Sequence, residues 1–222
     1  FICMFWALFD QTGSTWILQA MEMDREFLGH EWLPSQMQAV NGIFILLFIP
    51  LFAYVVYPLV DKYIIRLTPT RKIFAGLLLA AVPFLMNAWI QTRIEAGDTP
   101  NIAWQILQYA ILTAAEIMVS ITGLEFSYTQ APKAMKSLIM AFWFWTVSVG
   151  NLFTSAVNGK LEAAQAAVEN GAPHSGFWAG LLDKTSYFNF WAYAMLATAM
   201  LFLFIVLIYQ EKTYIQGSEL EE

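Results

Sequence analysis

Three carboxylates, Asp10, Glu116 and Glu125, stand inside long apolar runs of the sequence. A charge at the centre of a bilayer costs about 2.5–3.5 kcal/mol on insertion scales, so acids kept there are candidates for function. Low dielectric disfavours the charged form of a carboxyl. Such a group can take a proton on one side of a membrane and release it when water or a cation arrives, which is the chemistry of proton coupling. Glu116 has polar company. Residues alternately four and three apart share one helix face, and here they are Tyr109, Thr113, Glu116, Ser120, Gly123 and Ser127. Asp10 repeats the pattern more weakly, with Trp6, Gly13 and Ser14 on its face and Gln11 close by. Asn41 adds an amide, and Trp143, Thr146, Gly150 and Thr154 run along one side of a later helix. An amide, aromatic walls and paired acids suit a zwitterion whose ammonium and carboxylate ends need separate partners. Glu125 reads equally as an interfacial acid pairing with Lys133 or another cation.

The elements that must carry these residues are membrane helices. A spanning helix needs about 20 mostly apolar residues, and six runs qualify: Phe1–Ala20, Met37–Val60, Ile73–Ile94, Ile102–Tyr128, Ser137–Asn158 and Tyr187–Tyr209. The spacing predicts an all-α integral membrane protein, and no strand pattern competes. Of 222 residues, 59% are hydrophobic, 16% aromatic and only 13% charged, against about 25% charged in a soluble domain. The net charge of −6 argues against a nucleic-acid partner, which wants a basic face. One cysteine and two distant histidines, His30 and His174, make neither a disulfide framework nor a zinc signature. No nucleophile–base pair marks an enzyme.

Lysine and arginine set orientation. With the first helix running outward, the inner loops hold Lys62, Arg66, Arg71, Lys72, Lys133, Lys136 and Lys212, against Arg25, Arg93, Lys160 and Lys184 outside. Both ends then lie in the cytoplasm. The long connection Leu161–Ser186 reads as structural: LEAAQAAVENG prolongs the fifth helix to a stop at Asn170-Gly171, and Gly176–Leu182 is interfacial. The chain opens at Phe1 inside an apolar run with no basic stretch before it. That does not fit a signal peptide and reads as the remainder of a longer protein.

FWALFDQTGSTWILQA (Phe5–Ala20) resembles the seventh membrane helix of proton-coupled oligopeptide transporters, a branch of the major facilitator superfamily. ITGLEFSYTQAPKAMKS (Ile121–Ser137) resembles the exit of their tenth helix, and QMQAVNGIFILLFIPLFAYVVYPLV (Gln36–Val60) agrees with the eighth. The likeness is greatest to animal-type members and their bacterial relatives. It implies that residues 1–222 are the C-terminal six-helix bundle of a major facilitator fold, with an N-terminal bundle preceding it. It further implies symport of di- and tripeptides with protons across the cell membrane by alternating access, without a cofactor. On this resemblance Glu116 contacts the peptide amino terminus and takes part in coupling. Asp10 binds a proton or serves the outer gate, Asn41 contacts the peptide, Trp6 and Trp143 wall the pocket, and Ser120 shares the face of Glu116. The family's first-helix acidic motif, with its cationic and tyrosine partners, belongs to the other half. Animal members carry an acid three residues after the eighth-helix proline. Here that position, after Pro50, is Ala53, so a gate ion pair through that acid is not implied. The alternatives are a relative moving another solute such as nitrate, or a membrane scaffold subunit without transport.

Overall fold

The computed structural model describes residues 1–130, 135–171 and 173–209. Lys133, Lys212 and the acidic tail therefore lie outside the described residues. The first apolar run is not one helix. Helix α1 (Ile2–Phe9) passes into a 3-10 turn over Asp10–Gly13 and breaks at Ser14, and α2 (Thr15–Met21) resumes beyond. Three successive residues with weak helix propensity, Thr12, Gly13 and Ser14, weaken the helical ladder here, and local side-chain bonds take its place. The Gln11 amide donates to the Ala7 carbonyl at 2.8 Å, and the hydroxyls of Ser14 and Thr15 reach the Gln11 carbonyl at 3.3 Å. From neighbouring helices, Tyr109 and Gln38 reach the Thr12 carbonyl. A broken helix is tolerated at membrane depth where protein groups satisfy the freed carbonyls.

A small hairpin follows, β1 (Glu26–Phe27) against β2 (His30–Glu31), turning at Leu28 and Gly29, both with positive φ. It corrects the expectation of no strands; two residues per strand are too few to leave an alternation in the sequence. Helix α3 (Met37–Leu51) runs through Pro50 into a π segment, Phe52–Val56, and then α4 (Tyr57–Tyr63). Proline removes one helical hydrogen bond and crowds the preceding turn, and the turn preceding Pro58 is this widened segment. Helix α5 (Pro69–Glu95) starts with the Thr68 side chain accepting from the Arg71 amide and with Pro69 in the first turn, a favoured helix start. Helix α6 (Ala103–Glu116) continues through a second π segment, Ile117–Ile121, into α7 (Thr122–Gln130). Helix α8 (Lys136–Glu169) ends at Asn170 with Gly171 at φ +90°, so LEAAQAAVENG does prolong it. After the short α9 (Phe177–Gly180) comes α10 (Lys184–Ile208), capped by the Asp183 side chain accepting from the Ser186 amide at 2.8 Å.

Among the described residues, five helical stretches are long and apolar enough to cross a membrane: Pro34–Tyr63, Pro69–Glu95, Ala103–Gln130, Lys136–Glu169 and Lys184–Ile208. The core lies between α5, α6 and α10, where Phe84, Tyr109 and Trp191 are shut from solvent, with Trp16 of α2 wedged against Phe84 and Tyr109. Lipid tails are as apolar as leucine, so close backbone approach at small residues drives such packing. A Cβ at Gly76 of α5 would lie 2.7 Å from Val119 Cγ2 in the second π segment, and one at Gly150 of α8 only 2.3 Å from the Cys3 carbonyl oxygen. The outer faces of α3, α8 and α10 stay uncovered, with Leu46, Leu152 and Leu207 each at least 70% exposed.

Candidate functional site

Glu116 is the last residue of α6, half-buried, at the point where the helix widens into its π turn. The Asn41 side chain, from α3, donates from Nδ2 to Glu116 Oε2 at 3.3 Å. One turn before Glu116 on α6, the Thr113 hydroxyl lies 2.5 Å from Asn41 Oδ1 and 2.6 Å from the Tyr109 carbonyl. A hydroxyl has one hydrogen, so Thr113 serves only one of these acceptors at a time. With the hydrogen on Asn41, the amide oxygen is held toward Thr113 and its NH2 toward Glu116, the orientation the structure has.

The polar stripe expected from Tyr109 to Ser127 is divided by the π turn. An extra residue in the turn rotates everything beyond it by about 100°. Tyr109, Thr113 and Glu116 look toward Thr12 and Asn41, whereas Gly123 faces Trp143 of α8, whose ring would lie 3.0 Å from an added Cβ. Ser120 sits half-buried inside that turn. Leu112 and Val119, on the side opposite the stripe, are fully buried.

Asp10 opens the 3-10 turn and is exposed, with Oδ2 accepting from Asn151 Nδ2 of α8 at 2.6 Å. It lines a cavity of about 460 Å³ together with Gln11, Ser14, Asn151, Ser155 and Glu162. Asp10 and Glu116 thus have separate settings, one against α8 and the other against α3. Trp6 packs edge-on against Phe5 and Phe9, with its Cβ 3.1 Å from where a Gly150 Cβ would stand. Its buried indole N–H has no hydrogen-bond partner among the described residues. Thr154, one turn after Gly150, also lines the cavity at Asp10 and donates to the Ala7 carbonyl at 3.1 Å, holding α8 on α1. Glu125 is exposed beside a groove of about 530 Å³ that also holds Asp61, Tyr57 and Lys72; the Lys72 ammonium rests 4.1 Å from the Tyr57 ring centre.

Sequence reasoning missed the residues that tie the broken first helix to its neighbours. The Tyr187 hydroxyl of α10 reaches Gln11 Oε1 and Asn158 Oδ1, each at 3.1 Å. Gln19 donates to the Asn87 carbonyl at 3.0 Å and to Gln91 Oε1 at 3.1 Å, and Gln105 donates to the Trp16 carbonyl at 2.9 Å. Amides inside apolar helices, such as Asn87, Gln105 and Gln108, were the available signal. Among the described residues no three His, Cys, Asp or Glu side chains gather closely enough to hold a metal ion.

Comparison with known proteins agrees with this architecture. The family described as PTR2, POT family, matches residues 1–173. The "Peptide transporter PTR2" of Saccharomyces cerevisiae is 33% identical over 174 residues, which cover 72% of this chain and 28% of the yeast protein. The "Peptide transporter family 1" protein of Caenorhabditis elegans is 48% identical over 93 residues, 41% of this chain and 11% of that protein. An auto-inhibited POT family peptide transporter of known structure superposes with a TM-score of 0.83 at 33% identity, covering 98% of this chain and 41% of its own. The POT family transporter PepTSo superposes at 0.76 and 35% identity, covering 95% and 41%. The chain spans 41% of these solved chains and 28% or less of the two curated relatives. A match over most of its length, on a fold shared with solved members, means that the chain belongs to the POT family.

Proposed function

We propose that this chain is the C-terminal half of a proton-coupled symporter of di- and tripeptides, working by alternating access against an N-terminal six-helix bundle. The five long helices and the broken α1–α2 pair together make six spans of a major facilitator fold. The protein sits in the cell membrane with both ends of this segment in the cytoplasm. It is a carrier and not an enzyme, and the proton is its coupling ion, with no other cofactor. Family membership supports the class, and the names of its relatives, peptide transporters, support the substrate.

The observation that carries the reading is the Glu116–Asn41–Thr113 clamp, an acid at membrane depth held by an amide that Thr113 holds in turn. Glu116 receives the peptide ammonium, and arrival of that cation favours the carboxylate. Asn41 adds a neutral contact to the peptide. Trp6, Trp143 and Ser120 wall the pocket. Asp10, on the helix break, carries a transported proton or holds the outer gate. The test is uptake of labelled dialanine by the full-length protein in proteoliposomes under an imposed pH gradient. Glu116→Gln is expected to abolish gradient-driven uptake and Asp10→Asn to uncouple it. Undiminished driven uptake in both variants would overturn these roles.

A further inference from the structure

We propose that the seam between the broken first helix and α8 is a water-filled entrance by which protons reach Asp10, separate from the peptide pocket at Glu116. The inference rests on the reading of Asp10 as a proton carrier. On α8, Asn151, Ser155, Asn158, Glu162 and Gln165 follow one another at steps of four and three, so they form one polar face along the helix. From Asn151 to Gln165 the helix rises about 21 Å. That distance runs from the bonded partner of Asp10 up to the loop end of the bundle. A polar face outside the bilayer needs no explanation, but the lower part of this one is engaged at the depth of the helix break. Asn151 holds Asp10, and Asn158 meets Tyr187, which also reaches the buried Gln11.

Two cavities lie along this face. The lower, about 460 Å³, surrounds Asp10; the upper, about 390 Å³, is bounded by Gln19, Gln91, Gln165 and Lys184. Asn158 and Glu162 line both, so the two spaces adjoin on either side of these side chains. Each is many times the ~30 Å³ that one water occupies in the liquid. Gln19 gives an independent sign of water. It is 2% exposed and lines the upper cavity, and its Nε2 is taken by Asn87 and Gln91. Its Oε1 has no hydrogen-bond partner among the described residues. A buried acceptor left unpaired costs about 1–3 kcal/mol, and a water donor in the adjoining cavity removes that cost.

The charged and titratable side chains on the seam are Asp10, Glu162, Tyr187 and Lys184, the last paired with Glu22 at 2.5 Å. With Lys184 so engaged, the carboxylates give the seam a negative potential, which concentrates protons and repels anions. Amides do not relay protons; they hold the waters that do. One proton leaves bulk water at the level of Glu162, passes along that water file and adds to one oxygen of Asp10. The Asp10 carboxylate becomes a neutral carboxyl, and Asn151 still holds an oxygen of the group. A peptide seated at Glu116 does not block this entrance.

The test uses the full-length protein in proteoliposomes, comparing pH-gradient-driven dialanine uptake with dialanine counterflow without a gradient. Asn158→Leu and Ser155→Leu plug the seam with apolar bulk, and both are expected to lower driven uptake at least tenfold. Counterflow should stay within about twofold of the parent, which also shows that the variants fold. Asn158→Ser, which still holds water, is expected to restore driven uptake. The entrance is overturned if Asp10→Asn uncouples transport while both leucine variants drive uptake like the parent. It is also overturned if driven uptake and counterflow fall together in Ser155→Leu, whose side chain is exposed. Should Asp10→Asn itself leave driven uptake intact, the role of Asp10 falls, and the entrance falls with it for want of a destination.

Discussion

At Glu116 the chemistry turns on a single hydrogen. Thr113 stands within reach of both the Tyr109 carbonyl and the Asn41 amide oxygen, and with its hydrogen on Asn41 it holds that amide with its NH2 toward the acid. Removing the hydroxyl frees the amide from this constraint while keeping the volume of a fully buried residue. Thr113→Val is therefore expected to loosen dialanine binding by about 1 kcal/mol, roughly a fivefold rise in KM, with kcat changed less. Thr113→Ser should recover most of the loss. A rise in KM of equal size in Thr113→Ser would show that shape and not the hydroxyl matters. The acid, the threonine and the asparagine were all legible in the sequence, because polar residues at helical spacing stand out against an apolar background. Their mutual bonding was not legible, since it joins residues 72 and 75 positions apart. Asn151 and Tyr187 were missed for the same reason. What they bond is an acid or a side-chain amide on another helix, and nothing local marks them.

Helices were the easiest part of the sequence to read, and their interruptions the hardest. Length and apolarity located the long spans to within a few residues at several ends, and the last turns of α8, polar yet good helix formers, were legible as its prolongation. The break at Asp10–Gly13 and the π turns after Pro50 and Glu116 are decided by whether neighbours can accept the rearranged carbonyls, which is a property of packing. The same holds for Gly150, which lets α8 lie directly on the backbone of α1. A Cβ there would meet the Cys3 carbonyl oxygen at 2.3 Å and the Ala7 nitrogen at 3.0 Å, both backbone atoms that cannot step aside. Gly150→Ala is expected to cost about 1–3 kcal/mol by overpacking and to lower the unfolding temperature of the detergent-solubilised protein. Gly159, nine residues along the same helix, has nothing within 4 Å of an added Cβ. Gly159→Ala should be neutral or stabilising, by up to about 1 kcal/mol, through helix propensity alone. Equal melting of the two variants would mean that α1 and α8 are not in this close register.

Across the whole molecule, charge is sorted by end. The loops joining α2 to α3, α5 to α6 and α9 to α10 carry three ion pairs: Arg25 with Glu31, Arg93 with Asp98, and Lys184 with Glu22. Exposed pairs of this kind add at most about 1 kcal/mol each, so their significance lies in showing that this end is wet, and its acids still outnumber its bases. Asp24 belongs to the same end. Its carboxyl accepts from the Glu26 amide and from Asn101 Nδ2, and these bonds hold it below the usual carboxylate range. At the opposite end Lys62, Arg66, Arg71 and Lys72 crowd the turn between α4 and α5, and among the described residues none of them is in an ion pair. Unpaired cations remain on the cytoplasmic side during insertion, which supports the orientation proposed above, with this turn facing inward. This bias was readable from the sequence, whereas the closure of the proposed peptide pocket was not, because on that proposal its other wall lies in a second bundle. The orientation has a direct check in the full-length protein carrying Cys3→Ser and one new cysteine. A membrane-impermeant maleimide is expected to label Leu28→Cys, on the hairpin turn and 86% exposed, in intact cells. Ile64→Cys, 78% exposed beside the basic turn, should react only after permeabilisation. The reverse pattern would invert the bundle and place the mouth of the α8 seam in the cytoplasm, so protons would enter from the wrong side for inward coupling.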